Sequence, residues 1–354
     1  MIDFAKAYEE RSKGFVIFPR SNSPKHSRLL LYGAPKCGKS ALALDLTRDY
    51  KQQILVDCAD LRLHKASMQT SLLKLFLEKK FDVLIIDNYL PEITIPSHPN
   101  LILITTKITH LPESIRTSFH AHCVRALSFE EYVSFSKSNR LESIFASFLK
   151  EGNLPEIALM PEHKRIQRMQ EIILLYAKQD TSILAFLLHY QAKPFNTHNA
   201  FCLLKQQQKI SKDKMYAFIQ SLRDEQVIFT LTHKNGKESK LYFYNFALPY
   251  AISPTPNFQA IFENMIACEL LHRSLVVDYD DMCDFIVQDI AIFAAPFPSQ
   301  ALIESKISKS TKAYREYIFV SVDTTIPKTN SHLGTYRAMS FIDFALDYLH
   351  AHKI

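Results

Sequence analysis

The octapeptide Gly33 to Ser40, GAPKCGKS, constrains this chain more than any other stretch. It follows the apolar run Leu29-Leu30-Leu31-Tyr32 and runs into Ala41-Leu42-Ala43-Leu44-Asp45-Leu46. A short strand, a glycine-bounded loop and a helix start form the setting of a phosphate-binding P-loop. Gly33 and Gly38 let the backbone curl, with Ala34, Pro35, Lys36 and Cys37 between them, so that successive N–H groups face one phosphate at a helix N-terminus. Lys39 is placed to reach the β- and γ-phosphates and Ser40 to ligate Mg²⁺. The chain has only six glycines in 354 residues, and two stand here at the required spacing. ATP and Mg²⁺ are the expected cofactors.

The segments that follow repeat one pattern. Gln53 to Asp57 reads as a second buried strand, Phe81 to Asp87 as a third and Leu101 to Thr106 as a fourth. Met68, Leu72, Leu75 and Phe76 share one face of an intervening helix. Short apolar strands alternating with helices predict a parallel sheet covered on both faces. Ligands of such sheets bind at the carboxyl ends of the strands, where the loop, Asp87, Thr105 and Thr106 all fall. Asp87 is the natural acid to hold Mg²⁺, directly or through water. Asn88 stands where many P-loop ATPases carry a glutamate that deprotonates the attacking water; an amide positions water but accepts no proton. Glu92 is the substitute to consider.

At 354 residues, two or three domains are expected. A 47% hydrophobic, 22% charged composition describes a soluble globular protein. No apolar run approaches the roughly 20 residues of a membrane span, and Met1 to Arg20 lacks a secretory pattern. The six cysteines are scattered without a CxxC pair, which fits a reducing cytoplasm. The net charge of +6 permits nucleic-acid contact without demanding it. His120-Ala-His122 and His350-Ala-His352 read as surface pairs, because no second ligand cluster accompanies them.

Two further stretches, Arg125 to Tyr132 (RALSFEEY) and Phe148 to Glu156 (FLKEGNLPE), resemble the "PLSF.E" and "YLKYGGLPE" stretches of a large bacterial and archaeal group. Its members are AAA+-type P-loop ATPases with a C-terminal winged-helix and restriction-nuclease-like region. Lys240 to Ala247 (KLYFYNFA) is similar to the group's "KYYFVDTGL", and Phe262-Glu263-Asn264 to its "FEN" helix. The resemblance thus runs in order over nearly the whole chain. It implies an AAA+-like α/β core and a possible homo-oligomer in which Arg116 or Arg125 acts on a neighbour's γ-phosphate. Three departures bear on hydrolysis rather than binding: no paired Arg in the loop, Asn88 for the acid, and Thr105-Thr106 where Thr-Gly-Ser is usual.

Beyond the core, residues 160–192 read as helices. From Lys193 to Lys240 there are nine Lys/Arg against four Asp/Glu. Ser211 is a candidate N-cap for a helix whose Met215, Phe218, Ile219 and Leu222 share one face. Val227 to Thr232 and Lys240 to Tyr244 alternate as strands across Asn235-Gly236, a strong hairpin signal. Helices followed by such a hairpin predict a winged helix, with Lys212, Lys214, Gln220 and Arg223 off the apolar face and Lys234 and Lys237 on the wing, available to DNA. The opposing reading is a winged helix used for packing alone. In the last part, the helix Ala260 to His272 and strands Cys283 to Val287, Ala301 to Lys306 and Glu316 to Val322 fit the resembled nuclease-like module. Asp284 with Glu304-x-Lys306 is its candidate, degenerate metal site. If the apolar run Ala291 to Phe297 is instead the aligned strand, that site is lost.

The expected organisation is a P-loop core at 1–135, a helical lid at 136–192, a winged helix at 193–250 and a small α/β nuclease-like domain at 251–354. The expected function is a slow Mg²⁺-dependent ATPase or ATP-driven switch. The alternatives are a nucleotide-responsive DNA-binding scaffold without significant hydrolysis, and an ATP-gated nuclease.

Overall fold

The computed structural model describes residues 4–13, 17, 20–62, 65–78, 80–95, 97–236, 238–310, 313–332 and 334–351. Two compact units emerge: residues 1–126 with 224–226, and residues 127–223 with 227–354.

The first unit is α/β. Helix α1 (Phe4–Lys13) precedes β1 (Arg28–Tyr32), α2 (Lys39–Thr47), β2 (Gln53–Asp57), α3 (Lys65–Leu77), β3 (Val83–Asp87), β4 (Leu101–Ile104), α4 (Glu113–Ser118) and β5 (His120–Cys123). The strands form one parallel sheet in the order β2-β3-β4-β1-β5. Every residue of β3 and β4 is buried, as a parallel sheet covered on both faces requires. Leu30, Ile54, Val56, Leu84, Ile86 and Leu103 fill one face and Leu29, Leu31, Leu55, Ile85, Ile102 and Ile104 the other. The register pairs Asp57 with Asp87, Leu31 with Ile104 and Tyr32 with Cys123, so one sheet edge collects the carboxyl ends of all five strands.

The second unit opens with α5 (Phe129–Phe135), α6 (Leu141–Glu151), α7 (Pro155–Ala158), α8 (Glu162–Ala177) and α9 (Thr181–Leu188). The Ser128 hydroxyl and the Glu131 carboxylate form a reciprocal capping box that starts α5. Next come β6 (Lys193–Pro194), α10 (Thr197–Gln207), α11 (Lys212–Asp224), β7 (Ile228–His233), β8 (Ser239–Phe243), α12 (Leu248–Ile252) and α13 (Phe258–His272). The expected helix is present, with the Lys214 amide donating to Ser211 Oγ at 3.2 Å and Met215, Phe218, Ile219 and Leu222 buried. So is the antiparallel hairpin, its turn carrying Gly236 at φ +69°.

The chain closes with β9 (Asp278–Tyr279), β10 (Phe285–Val287), β11 (Ile290–Ala294), α14 (Gln300–Ser308), β12 (Glu316–Ser321), β13 (Ile326–Ser331), β14 (Gly334–Ser340) and helical turns over 341–351. Here one expectation fails: Ala301 to Lys306 is not a strand but lies within α14. Ser299 caps that helix by accepting from the Leu302 amide, and Ile303 and Ile307, one turn apart, supply its buried face. The apolar run from Ala291 is the strand, as β11.

The hairpin and the C-terminal strands share one nine-stranded sheet, ordered β13-β14-β12-β11-β10-β9-β7-β8-β6. Asn264 of α13 fastens that helix to the hairpin: its Oδ1 accepts from the Phe243 amide and its Nδ2 donates to the Phe243 carbonyl, both at 2.8 Å. Fully buried, this side chain imitates a neighbouring strand. Phe129, Phe148, Phe246, Phe262 and Phe341 fill the core beneath, with Phe148 and Phe246 edge to face at 5.0 Å.

Candidate functional site

The P-loop occupies the carboxyl edge of the five-stranded sheet, between β1 and α2. Gly38 caps α2 from the left-handed region at φ +101°, and Lys36 is left-handed at φ +68°. Gly33 stands at φ +141°, where an added Cβ would lie 2.3 Å from the Val124 carbonyl oxygen. Only glycine fits so close a backbone approach. Gly33→Ala should lower the stability of this unit by about 2–4 kcal/mol, the sum of a disfavoured φ and local overpacking. Urea melts of the variant superposing on wild type would refute that.

The Lys39 side chain is buried and folds back onto its own loop, donating to the carbonyls of Gly33 at 2.9 Å and Ala34 at 2.8 Å. Ser40 Oγ donates to Asp87 Oδ2 at 2.6 Å, joining the two residues expected at magnesium. Asp87 is 3% exposed. Ala34 and Cys37 are buried, Pro35 is half-buried and Lys36 is exposed. A hydroxyl and a buried carboxylate in contact, beside a lysine and a glycine-opened helix start, are a donor set that fits Mg²⁺ and a polyphosphate.

Asn88 does not face this cluster through its amide. Left-handed at φ +51°, it donates its Nδ2 to Asp57 Oδ1 at 2.8 Å, while its backbone N–H reaches Asp87 Oδ1 at 2.9 Å. Asp57, the acid that ends β2, is a member of this edge that sequence reasoning passed over, although it closes a strand just as Asp87 does. Thr105 is buried, its amide bonded to the Leu31 carbonyl and its hydroxyl accepting from the Lys107 amide; Thr106 is half-buried. Glu92 and Arg116 are exposed. Arg125 is half-buried, and its carbonyl accepts from Arg20 Nη2 at 2.8 Å. Arg20 also donates to the Cys37 carbonyl at 3.1 Å, bracing the loop from outside. No local pattern announces that role, because its partners lie 17 and 105 positions away. Burial pushes the Tyr32 hydroxyl and Cys123 thiol up and, with His120, the His122 imidazole down. All three therefore stay uncharged near neutral pH beside the phosphate loop.

In the second unit the other expected site residues part company. Glu304 lies on α14 and accepts from Gln300 at 2.8 Å. Asp284 instead accepts from the Ala294 amide at 3.0 Å and from Lys240 at 3.4 Å, and Lys240 also donates to Glu263 at 2.9 Å. The Asp284…Glu304-x-Lys306 set on adjacent strands is thus corrected: Asp284 meets Glu263. Of the basic residues offered to DNA, Lys214 pairs with Asp180 at 2.5 Å and Lys212 lies 5.5 Å from the Tyr216 ring centre. Gln220 and Lys234 are exposed, Arg223 is half-buried, and Lys237 lies outside the described residues.

No protein-family model matches the chain, and no curated protein matches it. Among solved structures it is similar to the Thermotoga maritima RuvB Holliday junction branch migration motor, at 15% identity over 66% of this chain and 87% of that one, TM-score 0.30. It is similar to AMPPCP-bound DnaA from Aquifex aeolicus at 11% identity over 64% and 90%, TM-score 0.27. Cdc6p from Pyrobaculum aerophilum gives 10% identity over 70% and 90%, TM-score 0.30. Likenesses this distant decide nothing about activity.

Proposed function

We propose that this chain binds Mg·ATP as an AAA+-type P-loop protein and turns it over slowly. The contact from Ser40 Oγ to Asp87 Oδ2 supports this reading best, because it joins the loop hydroxyl after β1 to the acid that ends β3, across the intervening β4. Backbone N–H groups of residues 35–40 with Lys39 would hold the phosphates, and Ser40 with Asp87 the metal. Bound magnesium supplies charge neutralisation on the phosphate oxygens. Lys39 is already desolvated, so exchanging two carbonyls for phosphate oxygens requires no further burial of its charge. Thr105, at the end of the strand beside β1, and Thr106 are the polar groups left to sense the terminal phosphate.

Asn88 sets the rate. Its amide is engaged with Asp57 and cannot take a proton from water. Wild-type turnover should therefore lie below the ~1 s⁻¹ lower end of ordinary enzymes. If the position faces the attacking water once the contact with Asp57 is lost, Asn88→Glu should raise it by roughly tenfold or more, within what a general base contributes. Steady-state phosphate release from both proteins is the test. A fast wild type, or a further loss in the variant, would place the base elsewhere, with Glu92 next in line.

A second reading rests on α10, α11 and the β7–β8 hairpin, whose order matches a winged helix. With Lys212 and Lys214 exposed on α11, duplex DNA is the partner it would suit. The same turnover assay with and without duplex, alongside binding in low salt, decides it: no binding even there would make this element a structural one.

A further inference from the structure

The second unit holds a half-open pocket of about 520 Å³, within the range of small-molecule sites and lined by residues of that unit. Its floor is acidic: Glu263 of α13 and Asp284, just before β10, both line it. Its walls are aromatic. Phe258 and Phe297 stack at 6.0 Å, and Phe293 and Phe319 at 4.5 Å, with Leu302 and Pro296 beside them.

The hydrogen bonds leave this floor unfinished. Glu263 is 6% exposed, and one of its oxygens, Oε1, accepts from both Lys240 at 2.9 Å and Tyr242 at 2.8 Å. Its Oε2 accepts nothing among the described residues. The Lys240 ammonium compensates one of the two carboxylates, so the floor, with Glu263 buried and Asp284 half-buried, keeps one negative charge. Burial, then Asp284 beside it, pushes Glu263 up to about 7. Lys240 lies against an oxygen of each acid and repels a divalent ion about twice as strongly as a monovalent one. Among the described residues no group of three His, Cys, Asp or Glu side chains could hold a metal. A single positive charge balances the floor, and aromatic faces favour a cation near them.

We propose that this cavity binds an organic ammonium ion with an apolar body, its charge at Glu263 Oε2 and Asp284 and its body between the phenylalanines. Lys306, which lines the α14 side and lies 5.4 Å from the Phe293 ring centre, is the like charge such a ligand must pass. It is exposed and screened by water, whereas Glu263 is buried and Asp284 half-buried. The remaining ionisable neighbours among the described residues include Cys283, Tyr242, and Tyr279, whose ring lies 5.1 Å from the Lys240 ammonium. Burial raises the thiol and both phenols, so they stay neutral.

Calorimetry of the full chain with 2-phenylethylamine tests this, with 2-phenylethanol and 3-phenylpropionate as neutral and anionic analogues and Mn²⁺ as the rival. The amine should bind at least about tenfold tighter than either analogue, the weight of one charge-assisted hydrogen bond. Its affinity should fall from pH 8 to pH 6, as Glu263 takes up a proton. Glu263→Gln and Asp284→Asn should each weaken it about tenfold, with melting temperature checked for both. Lys306→Met should tighten it modestly, whereas loss of a contact to an anionic ligand would weaken binding. Equal affinity for amine and alcohol would overturn the proposal. So would no amine binding at about 10 mM, where even weak sites fill. Saturable Mn²⁺ binding that Glu263→Gln abolishes would replace it with a metal site.

Discussion

Lys39→Ala should lose Mg·ATP affinity by about 10- to 100-fold, the equivalent of one or two charge-assisted hydrogen bonds, while the protein stays folded. Among the described residues, the Lys39 ammonium donates within the loop alone, to the Gly33 and Ala34 carbonyls, with Cys37 Sγ at 3.9 Å. Those carbonyls lose a donor in the variant, so a small drop in melting temperature accompanies the loss. Calorimetry returning wild-type Mg·ATP affinity from a folded Lys39→Ala protein would end the nucleotide assignment, since no other lysine stands at the head of α2.

The largest pH effect is expected at Glu269 in the second unit. This carboxyl is 2% exposed and accepts from the Phe129 amide at 2.5 Å, at the capped start of α5. Burial pushes it up to about 8, against the opposing pull of that amide and of Arg273. Between the ordinary carboxylate range near 4.5 and about 8, the folded chain holds a proton that the unfolded chain has released. Stability therefore falls with rising pH across that window, by up to ~1.4 kcal/mol per pH unit for one group. Glu269→Gln keeps an acceptor for Phe129 and removes the titration. Melting temperatures of wild type and Glu269→Gln should lie close at pH 5 and separate steadily toward pH 8, the variant becoming the more stable. Parallel curves would mean that the carboxyl is ionised throughout.

How far the sequence reveals this fold follows from how much each element depends on its own residues. Strands β2 and β3 and the β7–β8 hairpin announce themselves through apolar runs or alternation that burial enforces. Strand β5, His-Ala-His-Cys, does not: an edge strand that is exposed or half-buried along its length needs no apolar pattern. Strand β13, Ile-Pro-Lys-Thr-Asn-Ser, is polar for the same reason and outermost in its sheet. Helix α14 was legible and misleads: Leu302-Ile303 then Glu304 imitates a strand edge, whereas Ser299 and the Ile303–Ile307 spacing spell a helix. At the glycine-bounded loop nearly everything is local, so Gly33 to Ser40 and Asp87 can be named at sight. The Lys240–Glu263–Asp284 cluster could not be assembled, because it joins three elements whose meeting depends on the whole sheet.

That cluster also bears on how the hairpin finds its alignment. Side chains alternate faces along a strand, so a slip of β8 by one residue against β7 would turn Lys240 away and present Ser239 or Leu241 to the two acids. Two carboxylates would then be left in a desolvated place with no ammonium between them. A misaligned hairpin is thus penalised by charge as well as by packing, and the Asn235-Gly236 turn alone does not have to fix the strand register. The ion cluster acts as a proofreading device for folding, because the wrong alignment removes the one ammonium that compensates the two acids.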